Sequence, residues 1–147
     1  MAWFKSEEER VADELQALQA EYRRLARQLE SHAELAPYPH VAERLQRLLD
    51  AEERNARTVA ERLAALGRHP RPNGIEHVRG GRNSWERLVA TLEDYRALER
   101  RLTSLYVRWD DEHPEDAALV RSLRDLAAAH RETIADLIAR SDPHATN

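Results

Sequence analysis

Apolar residues recur in alternating steps of four and three along four separate stretches of this chain, and every glycine falls between the second stretch and the third. An α-helix needs that period to keep one face against a core, whereas a strand needs a period of two. The first stretch starts near Ser6 and runs to about residue 33 through Val11, Leu15, Leu18, Tyr22, Leu25 and Leu29. Ser6 is placed to cap it, and Glu7, Glu8 and Glu9 suit the positive end of the helix dipole. A second helix is expected over 39–66 through Val41, Leu45, Leu48, Val59 and Leu63, with Gly67 as its stop. Ser84 is expected to cap a third over 84–109, carrying Leu88, Leu92, Tyr95, Leu102, Tyr106 and Trp109. The fourth, over 114–140, carries Leu119, Val120, Leu123, Leu126, Ile134 and Leu137.

Composition narrows the classes. The 147 residues suit one domain, residues 1–147. The absence of cysteine rules out disulfides, thiolate metal sites and cysteine nucleophiles. A net charge of −4 speaks against nucleic acid as a partner, since such domains carry a clustered basic excess. No window approaches a membrane span and Met1–Ser6 lacks the apolar run of a signal peptide, so a cytoplasmic protein without membrane contact is expected. Sparse aromatic residues beside abundant Ala, Leu, Glu and Arg leave little material for a sheet.

Connection lengths choose the topology. The short links at 34–40 and 110–114 make helices one and two an antiparallel pair, and three and four another. The crossover at 67–83 is long enough, at about 3.3 Å per residue extended, to run the length of a bundle whose helices are about 40 Å long. Helix three then lies parallel to helix two, and the expected fold is an all-α, ferritin-like four-helix bundle. A weak internal repeat agrees with two related hairpins. Asn55-Ala-Arg-Thr-Val-Ala-Glu in helix two matches His130-Arg-Glu-Thr-Ile-Ala-Asp in helix four. Helices one and three show a fainter echo, Ala17-Leu18 and Arg24-Leu25 against Ala97-Leu98 and Arg101-Leu102.

Polar residues interrupt two of the stripes. Stepping on from Leu48 lands on Glu52 and Asn55 before Val59, and stepping on from Leu126 lands on His130 before Ile134. A buried carboxylate needs a partner, a metal or a proton, because an unpaired charge in the interior is prohibitive. In the absence of a cation, Glu52 and His130 are expected to face each other across the core, or to reach an arginine or the Tyr22 and Tyr95 hydroxyls.

At these positions the chain resembles the ferritin-like superfamily, especially the bacterioferritin and rubrerythrin type of hairpin. The family's centre is a di-iron or di-manganese site held by one Glu from each of two helices and one Glu-x-x-His from each of the other two. Asp13-Glu14-Leu15-Gln16-Ala17-Leu18 with Tyr22 is similar to the first-helix segment, which implies Glu14 as a ligand. Glu52-Glu53-Arg54-Asn55 is similar to the Glu-x-x-His segment with Asn55 in place of the His, and Leu92-Glu93 implies Glu93. Arg124-Asp125-Leu126-Ala127-Ala128-Ala129-His130 resembles the last segment with Ala127 in place of the Glu. The resemblance thus implies vestigial metal ligands at Glu14, Glu52, Glu93 and His130, with Asn55 as a weak one.

Four of six ligand positions cannot fill two first shells, so no cofactor, no catalytic residue and a non-catalytic binding or structural role are expected. The alternative is a metalloprotein that binds iron or manganese and acts as a ferroxidase or peroxidase-type oxidoreductase. A homodimer or a protein partner is expected. His69 and His77 in the crossover read as part of a solvated loop that also carries Arg68, Arg71, Arg79 and Arg82, and Trp3-Phe4 as an apolar pair that staples the bundle end or meets a partner.

Overall fold

The computed structural model describes residues 5–69 and 77–144, so Trp3-Phe4 and Arg71 lie outside the described residues. Four helices follow one another: α1 (Glu7–Leu35), α2 (Pro39–Ala65), α3 (Ser84–Trp109) and α4 (Pro114–Ala139), with no strand among the described residues. Local chemistry sets their ends. Ser6 Oγ accepts the Glu9 N–H at 3.2 Å to start α1, which runs two residues beyond its expected end and stops at Ala36, extended before Pro37. Proline occupies the first turn of α2 and α4, where its missing N–H costs nothing.

Gly67 ends α2 at φ 78°, with its own N–H on Ala64 O and the Arg68 N–H reaching back to Leu63 O at 2.9 Å. That pair of bonds is a Schellman motif, and the left-handed backbone is why glycine stands there. The cap of α3 is displaced by one residue from expectation. Asn83, not Ser84, holds the cap and accepts the Glu86 N–H at 2.9 Å, since its amide oxygen reaches the third N–H with the backbone still extended.

α1 packs along α2, and α3 along α4. One end of the bundle gathers the start of α2, the start of α3 and the last turn of α4, with Tyr38, Val41, Ser84 and Leu137 lining one cleft. The opposite end gathers the start of α1, the end of α2 and the start of α4, joined by Arg68–Asp13 and Arg62–Asp116 ion pairs. Helices α2 and α3 therefore start at the same end and run parallel, as the long crossover requires.

The core holds leucines from all four helices, with Leu15, Leu63, Leu102 and Leu137 at 0–1% exposure. Each fully buried leucine contributes about 1.5–3 kcal/mol. One stripe differs from expectation. Leu126 is 43% exposed and Ala127 points inward instead, so α4 buries Val120, Leu123, Ala127, Ile134 and Leu137 in steps of three, four, seven and three. The step of seven is filled by His130.

Buried positions of the two hairpins match along the sequence at constant spacings. Leu15, Leu18, Tyr22, Leu25 and Leu29 of α1 correspond to Leu88, Thr91, Tyr95, Leu98 and Leu102 of α3, each 73 residues on. Val41, Leu45, Leu48, Glu52 and Val59 of α2 correspond to Asp116, Val120, Leu123, Ala127 and Ile134 of α4, each 75 residues on. The second spacing is that of the Asn55/His130 repeat. The first corrects the expected echo between helices one and three: Ala17 and Ala97 are both on exposed faces, so their likeness says nothing about register in the core.

Candidate functional site

Polar groups meet in the middle of the bundle where the α2 and α4 stripes are interrupted. Glu52 is 1% exposed, one of the most deeply buried charged residues among those described. Its Oε1 accepts from Asn55 Nδ2 at 2.7 Å, one turn along the same helix. Its Oε2 accepts from the Tyr95 hydroxyl at 2.5 Å and lies 3.1 Å from His130 Nδ1. The imidazole donates in that contact, and its ring stands edge-on to Tyr95 with centroids 5.8 Å apart. Three donors from three helices thus surround one carboxylate, which is what an interior of low polarity demands of it.

Tyr22 completes the group from α1. Its hydroxyl is buried without a hydrogen-bond partner, and it lies in the field of Glu52. Burial, and then the Glu52 charge, push both phenols well above their ordinary range. Both stay protonated, so Tyr95 is a permanent donor.

The other two sequence candidates lie elsewhere. Glu14 is half-buried on the flank of α1, 3.2 Å from Arg101 Nη2 and 3.7 Å from Arg108 Nη1. The side chain of Glu93 is 56% exposed and pairs with Arg79 at 3.1 Å. The structure brings Glu52, Asn55 and His130 together and leaves Glu14 and Glu93 outside, each held by arginine. Glu14 adjoins the buried Leu15 and Glu93 the partly buried Leu92, but one residue turns a helix by about 100°, enough to carry a side chain from core to rim.

A second polar cluster escaped the sequence reading. Gln28 of α1 donates to Thr91 Oγ1 at 3.1 Å and to Asp94 Oδ2 at 2.8 Å, and accepts from the Arg79 N–H at 2.9 Å. His32 Nε2 donates to Arg79 O at 2.9 Å, which leaves Nδ1 to accept from the Thr91 hydroxyl at 3.2 Å. Arg79 also reaches Asp94 Oδ1 at 3.0 Å. The crossover's end is clamped between α1 and α3 by this cluster, while His69 and His77 stay exposed. A signal was present: stepping on from Leu25 lands on Gln28 and His32, and from Leu88 on Thr91.

Burial holds the His32 imidazole below its ordinary 6.5. The unfolded chain therefore binds the proton more readily than the folded one, and stability present above about pH 6.5 is lost as the pH falls through the lowered folded value. Urea midpoints compared at pH 7.5 and pH 5 should drop further for the natural protein than for His32→Gln. Parallel drops would show that His32 does not contribute.

No protein-family model and no curated protein matches the sequence. Solved structures do. A dodecameric thioferritin, the bacterioferritin-related protein of Bacteroides fragilis, superposes with a TM-score of 0.82 at 14% identity over 92% of this chain and 88% of that one. A mutant Dps1 of Mycobacterium smegmatis gives 0.78 at 17% identity over 91% and 99%. The Dps protein of Vibrio cholerae O1, described as a member of a broad superfamily of ferritin-like diiron-carboxylate proteins, gives 0.75 at 14% identity over 89% and 90%.

This chain has the ferritin-like fold. Within that ferritin-like bundle, Glu52 and Asn55 of α2 correspond by the spacing of 75 residues to Ala127 and His130 of α4.

Proposed function

We propose that this ferritin-like bundle is a non-catalytic, self-associating binding or structural protein whose central carboxylate holds the core together instead of holding a pair of metal ions. The observation that carries the reading is the coordination of Glu52: its two oxygens accept from Asn55, Tyr95 and His130. A two-metal carboxylate centre draws four carboxylates and two imidazoles inward. Around Glu52 the chain supplies one carboxylate, one amide and one imidazole, and Ala127, 2% exposed, offers no donor. Those residues do not fit two ions. Their arrangement does fit a buried carboxylate satisfied by the protein itself.

Self-association is supported from two sides. One of the structures it resembles is a dodecamer. The outer groove between α1 and α2, about 520 Å³, has a floor that includes Ala26, Leu49 and Ala56. Because the helices are antiparallel, Arg23 and Arg57 line one half of that groove, and Glu30 and Glu53, with Arg27 beside them, line the other. A twofold axis across its centre sets the basic half of one copy on the more acidic half of the next, the self-complementarity a dimer of identical chains needs.

A second reading is favoured by the Tyr22 hydroxyl, buried and unpaired beside Glu52. In it Glu52 and His130 hold a single iron or manganese ion in an oxidoreductase of altered centre. Protein from cells supplied with both metals separates the two. The first reading expects equal metal per chain in the natural protein, Glu52→Gln and His130→Leu, iron oxidation no faster than in buffer, and sedimentation above the mass of one chain. Metal lost with either substitution would establish the second.

A further inference from the structure

A different set of donors meets at the opposite place in the fold, the bundle end where α1 starts and α3 turns into α4. Glu7, Glu112 and His113 each bring one ligand atom there, all within 4.8 Å of one another. His113 Nε2 is buried, has no hydrogen-bond partner and lies 3.7 Å from Glu7 Oε2. That separation is too long for a direct hydrogen bond, whose donor and acceptor sit at about 2.7–3.2 Å. It is close to the spacing of two ligands on one ion: bonds of about 2.0–2.2 Å at a tetrahedral angle place their atoms about 3.3–3.6 Å apart.

We propose that Glu7, Glu112 and His113 form a binding site for one divalent transition-metal ion, with zinc as the best-matched occupant. Two carboxylates balance the double charge, and a neutral imidazole supplies the nitrogen that separates such a site from one for calcium or magnesium. The orphan Nε2 gains its only strong partner when the ion binds.

Neighbouring groups set the affinity. Glu7 Oε1 is engaged by Arg10 Nη1 at 3.2 Å, which leaves Oε2 for the ion and removes part of the site's negative charge. The starts of α1 and α4 add partial positive charge of about half a unit each. Against these stand Glu8, Glu9, Asp110 and Asp111, each within two residues of a ligand in sequence. Glu115 is turned away to Arg62 at 2.9 Å. Three protein ligands leave the remaining positions to water, so the site exchanges its metal and is emptied by chelators.

The core site and the bundle-end site are independent, and one experiment keeps them apart. Zinc chloride is titrated calorimetrically into metal-stripped natural protein, His113→Ala, Glu112→Gln and the core variant His130→Leu, with helicity checked by circular dichroism. His113→Ala removes no capping bond, because the His113 side chain makes none. One saturable site per chain is expected in the natural protein and in His130→Leu, weakened at least tenfold in His113→Ala and in Glu112→Gln. Titration that is absent in the natural protein, or unchanged in His113→Ala, would overturn the proposal. So would a site lost with His130→Leu and kept with His113→Ala.

Discussion

Glu52→Leu should destabilise the protein by about 3–5 kcal/mol, although leucine is the more ordinary core residue. The substitution removes the acceptor for Asn55 Nδ2, the Tyr95 hydroxyl and His130 Nδ1 at once. Each buried donor left without a partner costs about 1–3 kcal/mol, and the added apolar burial returns only about 1.5–3 kcal/mol. His130 retains some access to solvent and Tyr95 has none, so Tyr95 carries much of the loss. For a domain of this size the melting temperature should fall by roughly 10 °C. Adding Tyr95→Phe to Glu52→Leu should recover part of that fall, because the stranded donor then goes as well, and the two effects should be far from additive. An unchanged or raised melting temperature for Glu52→Leu would mean that the network does not hold the core.

The second large effect is a gain. Asn55→His together with Ala127→Glu places Glu-x-x-His on both α2 and α4, at positions the spacing of 75 residues pairs. Two carboxylates and two imidazoles then face one another in the core, enough for one complete first shell. The added carboxylate takes the place of Ala127, which is only 2% exposed, so the metal-free variant should be less stable than the natural protein. Metal should reverse the loss, since an ion at one hundred times its dissociation constant adds about 2.7 kcal/mol. In a His113→Ala background, which silences the bundle end, manganese or cobalt should raise the melting temperature of the double variant and leave the parent unmoved. A folded double variant indifferent to both metals would refute the pairing of the two helices.

Much of this molecule is determined by local pattern. The three-and-four spacing specifies four helices, Ser6 and Gly67 specify two of their ends, and the crossover length specifies that α2 and α3 run parallel. The same arithmetic finds Glu52, Asn55 and His130, because a polar residue on an otherwise apolar stripe must face inward wherever the stripe does. These inferences need only the period of the helix, a property of residues a few positions apart.

Tertiary structure alone decided the rest. Whether Glu14 and Glu93 belong to the core depends on how far each helix is rotated about its axis, and packing sets that angle. Leu126 and Ala127 differ by one position and sit on opposite sides of the outcome, since a small residue allows α4 to approach where a leucine would hold it off. The Gln28–His32–Thr91–Asp94 cluster and the Glu7–Glu112–His113 group join residues far apart in the chain. Local pattern can turn Gln28, His32 and Thr91 inward but cannot pair them, because such meetings arise only when the helices have come together and each buried polar atom takes the partner that packing has left within reach.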